Sequence, residues 1–302
     1  MGFITTLHPC LMQKYVDSVA EKWSMSRLAS TGHRFTNFPH ALYATDVTFQ
    51  QTNAPSGSYA DKKLYFSGKH HLYEHKVEVS VLPCEFDLGC SAYAKGSVAD
   101  KTIFDDNLEF HCDQLKKRPD EVDMADSDDE ASREPKQWAV MADKGYQGIQ
   151  RQVRAILPDK KQSGGILTWD QSRRNDRIAA DHSIVENFFG RMKTLWAPVG
   201  YCYHWNRKRY DLLFKTCLSL TNVHVRFNPL RKEDGEVYAQ YVNRLESIGR
   251  KLRKKKKSAD RAYRTKRKAR LALVLAAEGA LSQNARGNSE TEADSDRDDE
   301  SF

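Results

Sequence analysis

The stretch FPHALYATDVTFQ, residues 38–50, decides how this chain reads. From about Ala41 to Phe49 it is a run of β-branched, aromatic and small apolar residues, the make-up of a buried strand. A carboxylate, Asp46, stands in its middle. An ionised acid is costly in such a place unless something nearby rewards the charge. Two questions follow: which sheet the strand joins, and what Asp46 faces.

Toward the C-terminus, KKLYFS (62–67) follows a turn at APSGS and reads as a second strand. YEHKVEVSVLP (73–83) alternates. Tyr73, His75, Val77, Val79 and Val81 are expected on one face, Glu74, Lys76 and Glu78 on the other. FDLGCSAYA (86–94) completes an expected antiparallel meander of four strands. The period then changes. GSVADKTIFDDNLEFHCDQL (96–115) predicts a helix opened by Asp100 as N-cap, with apolar repeats at Ile103, Phe104, Leu108, Cys112 and Leu115. QWAVMA (137–142) reads as a buried strand and QGIQRQVRAIL (147–157) as a helix with Ile149, Val153 and Ile156 inward. GILTW (165–169) reads as a short strand. DHSIVENFFGRMKTLW (181–196) and residues 211–225 read as helices. Toward the N-terminus, Met12, Tyr15, Val16, Val19 and Trp23 share one helical face within residues 9–24.

This order predicts an α/β protein: a ribonuclease-H-like mixed sheet flanked by helices, with a charged helical or disordered C-terminal extension. The expected divisions are a helical N-terminal segment (1–36), a catalytic domain (37–228) carrying an acidic, disordered surface insertion (113–135), a basic, partly helical arm (229–270) and an acidic low-complexity tail (271–302).

Three acids stand where acids are expensive unless they work. Asp46 interrupts its strand, Asp143 ends the apolar strand before KGYQG, and Glu186 lies in the helix 181–196. A helical wheel puts Ile184, Val185, Phe188, Phe189, Met192 and Trp196 on the core side, and Glu186 on the opposite edge with Ser183, Gly190 and Lys193. Singly, an Asp at a strand end is a turn residue and a helical Glu is solvated. Jointly, strand-centre, strand-end and helix positions converge at one sheet edge. Three converging carboxylates stay ionised there only around a cation, and Mg²⁺ or Mn²⁺ suits an all-oxygen site. Two such ions would serve an in-line phosphoryl displacement, with Asp46 bridging them and Asp143 and Glu186 each holding one.

With these residues in view, the chain from about residue 38 to 227 resembles the Harbinger-type DDE transposases and the nuclease-like proteins derived from them. The resemblance rests on an ordered set: FPHALYATDVTFQ, KKLYFSGKHHLYEHKVEVSVL, KGSVADKTIF, MADKGYQG and VENFFGRMKTLW. Ninety-seven residues separate Asp46 from Asp143, and 43 separate Asp143 from Glu186. The resemblance implies a metal-dependent DNA endonuclease or transposase with catalytic Asp46, Asp143 and Glu186, a nuclear location, and a separate Myb-like DNA-binding partner. Homo-oligomerisation is a further expectation. The chain departs from the family pattern twice. Where relatives carry an Arg one turn before the Glu, it has His182 and Ser183, leaving Arg174 or Arg177 as substitutes. Only about 45 residues precede Asp46, where relatives carry a helical DNA-binding segment, which marks the chain as a candidate truncated copy.

Lys69, Lys144, Arg191 and Lys193 are candidate DNA contacts, as are Lys254, Lys255, Lys256 and Lys257 in the arm. His70 and His71 join Lys69 in a small basic group, and Gly190 leaves a gap for a neighbouring strand. The net charge of +7 is unevenly spread. Residues 231–270 carry 16 Lys and Arg against 5 acids, residues 271–302 carry 2 against 8, and residues 105–135 carry 4 against 12. The run 250–270 holds 13 basic residues in 21 and reads as a nuclear-localisation signal, a nonspecific DNA arm, or both. No apolar run is long enough to span a bilayer. The six cysteines form no CxxC pair and read as reduced thiols; Cys202 and His204 lack further ligands for zinc. The competing reading is a catalytically inactive, domesticated copy that binds DNA or chromatin through its arm.

Overall fold

A computed structural model describes residues 2–126, 134–161 and 165–287 of the chain, with side chains described as far as 276. Residues 1–247 form one compact unit and residues 248–302 a second.

The first unit is built on a mixed sheet that, among the described residues, has six strands. These are β1 (Ala41–Gln51), β2 (Glu74–Val81), β3 (Asp87–Cys90), β4 (Ala94–Lys95), β5 (Ala139–Ala142) and β6 (Ala155–Ile156). The order is β3-β2-β1-β5-β6, with β4 also paired to β2. β1, β2 and β3 run antiparallel, while β5 lies parallel to β1 and β6 parallel to β5. This is the ribonuclease-H-like architecture that the sequence predicts.

β1 is central and covered on both sides, with eight of its eleven residues buried. On one face the Tyr43 hydroxyl meets His111 Nδ1 at 2.8 Å. On the other, the Thr48 hydroxyl receives a bond from the Tyr238 hydroxyl. β2 is covered in the same way, which corrects the expected polar face. Glu74 and Glu78 are fully buried. Each is paired with a histidine, Glu74 with His70 at 2.9 Å and Glu78 with His111 at 2.8 Å. A buried carboxylate needs such a partner, and neither partner is visible in the alternation of the strand itself.

Three other expected elements differ. The KKLY of KKLYFS is helical, belonging to α4 (Tyr59–Tyr65), because Ser58 and Asp61 form a capping box that starts a helix, and only Phe66 makes an isolated antiparallel bridge, to Tyr73. The segment 147–157 is not a helix. Gly148 sits at φ +109, in the left-handed region, so the chain makes a short 3₁₀ turn (Ile149–Arg151) and then enters β6. Its inward residues Ile149, Val153 and Ile156 are nevertheless buried as expected. GILTW contains no strand; Thr168 caps the next helix, with Gln171 completing a second capping box.

The expected helix at 96–115 breaks at Asn107 into α5 (Asp100–Asp106) and α6 (Leu108–Leu115). The acidic insertion is ordered through residue 126, a correction to the expected disorder. Glu121 is buried and accepts from Trp138 Nε1 at 2.9 Å. Asp126 receives two bonds from Arg154, at 2.6 and 2.7 Å, and one from Lys117 at 2.8 Å. Burial works to raise the Asp126 pKa, but these donors outweigh it and hold it at about 2. Residues 127–133 of the insertion lie outside the described residues.

The N-terminal segment is helical in α1 (Gly2–Met12), α2 (Ser18–Lys22) and α3 (Met25–Ser30), with Val16, Val19, Met25 and Leu28 in the core. Two long helices follow the sheet: α7 (Trp169–Leu195), then, after the short α8 (Ala197–Gly200), α9 (Tyr210–Phe227). The chain continues as α10 (Lys232–Gly287), so helix extends well past residue 270, into the stretch expected to be a low-complexity tail. Residues 288–302 lie outside the described residues. In the second unit every side chain from Lys251 to Ala276 is exposed. Among the described residues no helix is long and apolar enough to cross a membrane, and all six cysteines are free.

Candidate active site

β1 and β5 bring the two aspartates together. Thr45 pairs with Ala142 as the last pair of the parallel ladder, so Asp46 and Asp143 are the next residues along two neighbouring segments of chain. Asp143 falls just past the end of β5, where the apolar run gives way to a 3₁₀ turn (Lys144–Tyr146). The third acid comes from α7. His182 Nε2 lies 3.1 Å from the carbonyl oxygen of Thr45 and fastens the helix to β1 beside Asp46. Glu186 is one turn further along the same helix face. Asp181 adds a second tether by accepting from the backbone N–H groups of Asn37 and Phe38.

These residues line a single cavity of about 390 Å³ whose wall includes Asp46, Asp143, Lys144, Asp176, His182 and Glu186. Asp46 is half-buried, and its pKa is pushed well above the carboxylate range. Burial is the main cause, opposed by a bond from the Val47 N–H and reinforced by the charges of Asp143, Asp100 and Glu186. Asp143 and Glu186 are exposed. Among the described residues no three His, Cys, Asp or Glu side chains are gathered closely enough to coordinate an ion as they stand. The three acids nevertheless fit a hard divalent cation: each offers carboxylate oxygens, and among the described residues Lys144 is the only Lys or Arg on the cavity wall. An excess of clustered negative charge is what such an ion neutralises.

Two acids near the site were placed differently by sequence reasoning, or missed. Asp100 does not cap α5; the N-cap is Ala99, and Asp100 instead accepts from Lys76 Nζ at 3.0 Å. Gly145, beside Asp143, packs against the Asp100 carboxylate. Asp176 was missed because the helix was expected to begin near Asp181. It stands ten residues before Glu186 on the longer α7 and lines the same cavity.

The candidate DNA contacts divide. Lys144 is exposed on the cavity wall. Lys69 is exposed in the turn before β2 and does not line the cavity. His70 is buried beside it, stacked on Phe49 at 3.9 Å between ring centroids. Lys254, Lys255, Lys256 and Lys257 are exposed in the second unit. Arg191 and Lys193 are corrections, being only 5% and 8% exposed. Arg191 forms a two-pronged ion pair with Asp234, at 2.6 and 3.0 Å, and donates to the carbonyls of Asn228 and Pro229 where α9 ends. Lys193 donates to the carbonyl of Phe49 at 3.0 Å and lies 4.2 Å from the centre of the Tyr241 ring. Both turn inward because the start of α10 covers this edge of α7. Gly190 is filled by the backbone of Asp234 rather than by a strand. Arg174 donates to the carbonyl of Leu157 at 2.8 Å, and the Arg177 guanidinium lies over the Phe38 ring.

A family model described as DDE superfamily endonuclease matches residues 45–222, more than half of the chain and a span that encloses Asp46, Asp143 and Glu186. The chain belongs to the DDE superfamily endonucleases. Comparison with curated proteins and with solved structures gives no significant match. Membership makes this a nuclease- or transposase-like protein with DNA as its substrate class and a divalent metal as its expected cofactor.

Proposed function

We propose that this DDE endonuclease hydrolyses DNA phosphodiesters with Asp46, Asp143 and Glu186 holding two divalent cations, Mg²⁺ or Mn²⁺. The observation that carries the reading is that Asp46 from β1, Asp143 from the end of β5 and Glu186 from α7 all line one cavity. When bound, the ions would supply Lewis acidity to the phosphate and lower the pKa of the attacking water. Asp46, held by the sheet at the least exposed position, would set the centre of the site. Asp143 and Glu186 are exposed and can swing toward it. His182 keeps α7 in register with β1, and Lys144 offers a positive charge to a phosphate at the rim. In the first step a water oxygen bonds to phosphorus and the bond to O3′ breaks, leaving a 3′ hydroxyl and a 5′ phosphate. In strand transfer that hydroxyl would attack a second phosphodiester: its oxygen bonds to phosphorus, the target's bond to O3′ breaks, and the displaced 3′ oxygen leaves as a hydroxyl, taking up the proton the attacking group gives up. The exposed basic residues 250–270 fit a nonspecific DNA arm and a nuclear-localisation signal.

The test is nicking of supercoiled plasmid with Mg²⁺ or Mn²⁺. We expect nicking by the native protein and a loss of at least about a hundredfold in Asp143→Asn. Equal background from both proteins would favour the reading of an inactive DNA-binding copy.

A further inference from the structure

The segment YCYHWNRKR, residues 201–209, plays no part in the carboxylate site, yet it interleaves aromatic and basic residues. It is a firmly held loop. The Tyr203 N–H donates to the carbonyl of Gln51 at 2.7 Å, and the Thr52 hydroxyl donates back to the carbonyl of Tyr203 at 3.0 Å. Arg207 donates to the carbonyl of Asn53, and the Asn206 side chain caps Lys208. The Tyr203 ring is buried against His75, a histidine whose pKa burial and Arg207 depress to about 4. Anchored in this way, the loop turns other aromatic rings outward. Tyr201 is 63% exposed, and Trp205, stacked on His204 at 4.1 Å, is 43% exposed. Lys208 and Arg209 are exposed beside them.

At the foot of the loop Tyr201 lines a groove of about 640 Å³ together with Lys193, Gln240, Tyr241 and Arg244. The groove lies seven residues along α7 from Glu186, about 10 Å away along the helix, or about three steps of a nucleic-acid strand. Exposed rings on a rigid backbone, flanked by cations, suit unstacked bases and phosphates. They do not suit a duplex, whose bases are already stacked on one another.

We propose that the loop 201–209 and the groove beneath it grip a single strand of DNA leading away from the carboxylate site, with Trp205 and Tyr201 stacking on its bases. The proposal rests on the reading of the protein as a DNA endonuclease, but its test needs no cleavage. Full-length protein in EDTA is titrated by fluorescence anisotropy with a short single-stranded oligonucleotide and with its duplex. In parallel, single strands carrying 5-iodouracil are photocrosslinked, and the crosslinked residues are mapped by mass spectrometry. We expect Trp205→Ala to weaken single-strand binding about tenfold and duplex binding less than twofold. Trp205→Phe should retain most of the affinity, and Phe3→Ala, which removes a 77% exposed ring on α1, should retain all of it. Crosslinks should map to Tyr201 and Trp205. The proposal is overturned if Trp205→Ala binds the single strand as the native protein does, if it loses the duplex equally, or if all crosslinks fall within residues 248–302. If Trp205→Ala does not fold, the crosslink map and Trp205→Phe decide. Failure here with plasmid nicking intact removes the loop assignment and leaves the endonuclease reading standing. A loop confirmed without nicking does the reverse.

Discussion

At the level of single residues, Lys193 shows how far burial can move a side chain from its expected role. On the wheel of 181–196 it shares an edge with Glu186, and a phosphate contact follows. In the fold its ammonium is enclosed by Phe49 and Tyr241, and burial draws its pKa down to about 7, with Glu74 pulling the other way. The folded state therefore releases this proton more readily than the unfolded chain, whose lysine titrates near 10.5. Between about pH 7 and pH 10.5 the unfolded state binds more protons, so the Lys193 contribution to stability rises with pH and is least favourable below 7. Each unit of pKa difference is about 1.4 kcal/mol. We predict that Lys193→Met, compared with the native protein by urea unfolding in the absence of DNA, will be relatively more stable at pH 6.5 than at pH 9.5. The gap between the two pH values should amount to a few kcal/mol. A pH-independent difference would mean that the amine titrates normally. The placement of Asp46 within β1 and of Asp143 at the end of β5 was legible where the burial of Lys193 was not, because a strand centre and a strand end are local features of sequence. What covers a helix edge is decided by residues far along the chain, as with the pair Arg191 and Asp234, 43 residues apart.

Among the elements, the same distinction explains which parts of the fold could be read. β1, β2, β5 and α9 carry their pattern within themselves. The helix α4 was also written locally, in the capping box of Ser58 and Asp61, but the β-forming LYF run outweighed it in the reading. Gly148 likewise ended a helical periodicity that the apolar spacing alone would have continued. The burial of Glu78 was not legible, because its partner His111 lies on α6. The crossing of α7 and the first turn of α10 belongs to this non-local class, and it depends on two glycines. A methyl group on Gly190 would meet the carbonyl of Asp234, and one on Gly235 would meet the Asn187 side chain. In an exposed helix interior, Gly→Ala stabilises by up to about 1 kcal/mol. Here we predict the opposite sign. Gly190→Ala should destabilise by roughly 1–3 kcal/mol through overpacking, and it should expose the start of α10 to limited proteolysis. Unchanged cleavage near residues 228–236 with unchanged stability would show that the two helices do not depend on this close approach.

For the whole molecule, charge is distributed by unit in a way composition alone exposes only in part. The body keeps its cavity acids beside few cations, whereas the exposed part of α10 concentrates them, with Lys254, Lys255, Lys256 and Lys257 consecutive. A helix of this kind gains little from packing and pays for its self-repulsion until a polyanion screens it. Nonspecific DNA binding should therefore reside there and should be dominated by counterion release. Each neutralised phosphate contributes about 0.9 to the slope of log affinity against log salt. We predict that replacing the four lysines by glutamine will reduce the magnitude of that slope on duplex DNA by about three to four units. At low salt it should weaken duplex binding far more than Trp205→Ala does. The thermal stability of residues 1–247 should not change, because those lysines lie outside that unit. A slope unaltered by the fourfold replacement would move nonspecific binding from the arm to the body, where Lys144 and the basic loop 201–209 would have to supply it.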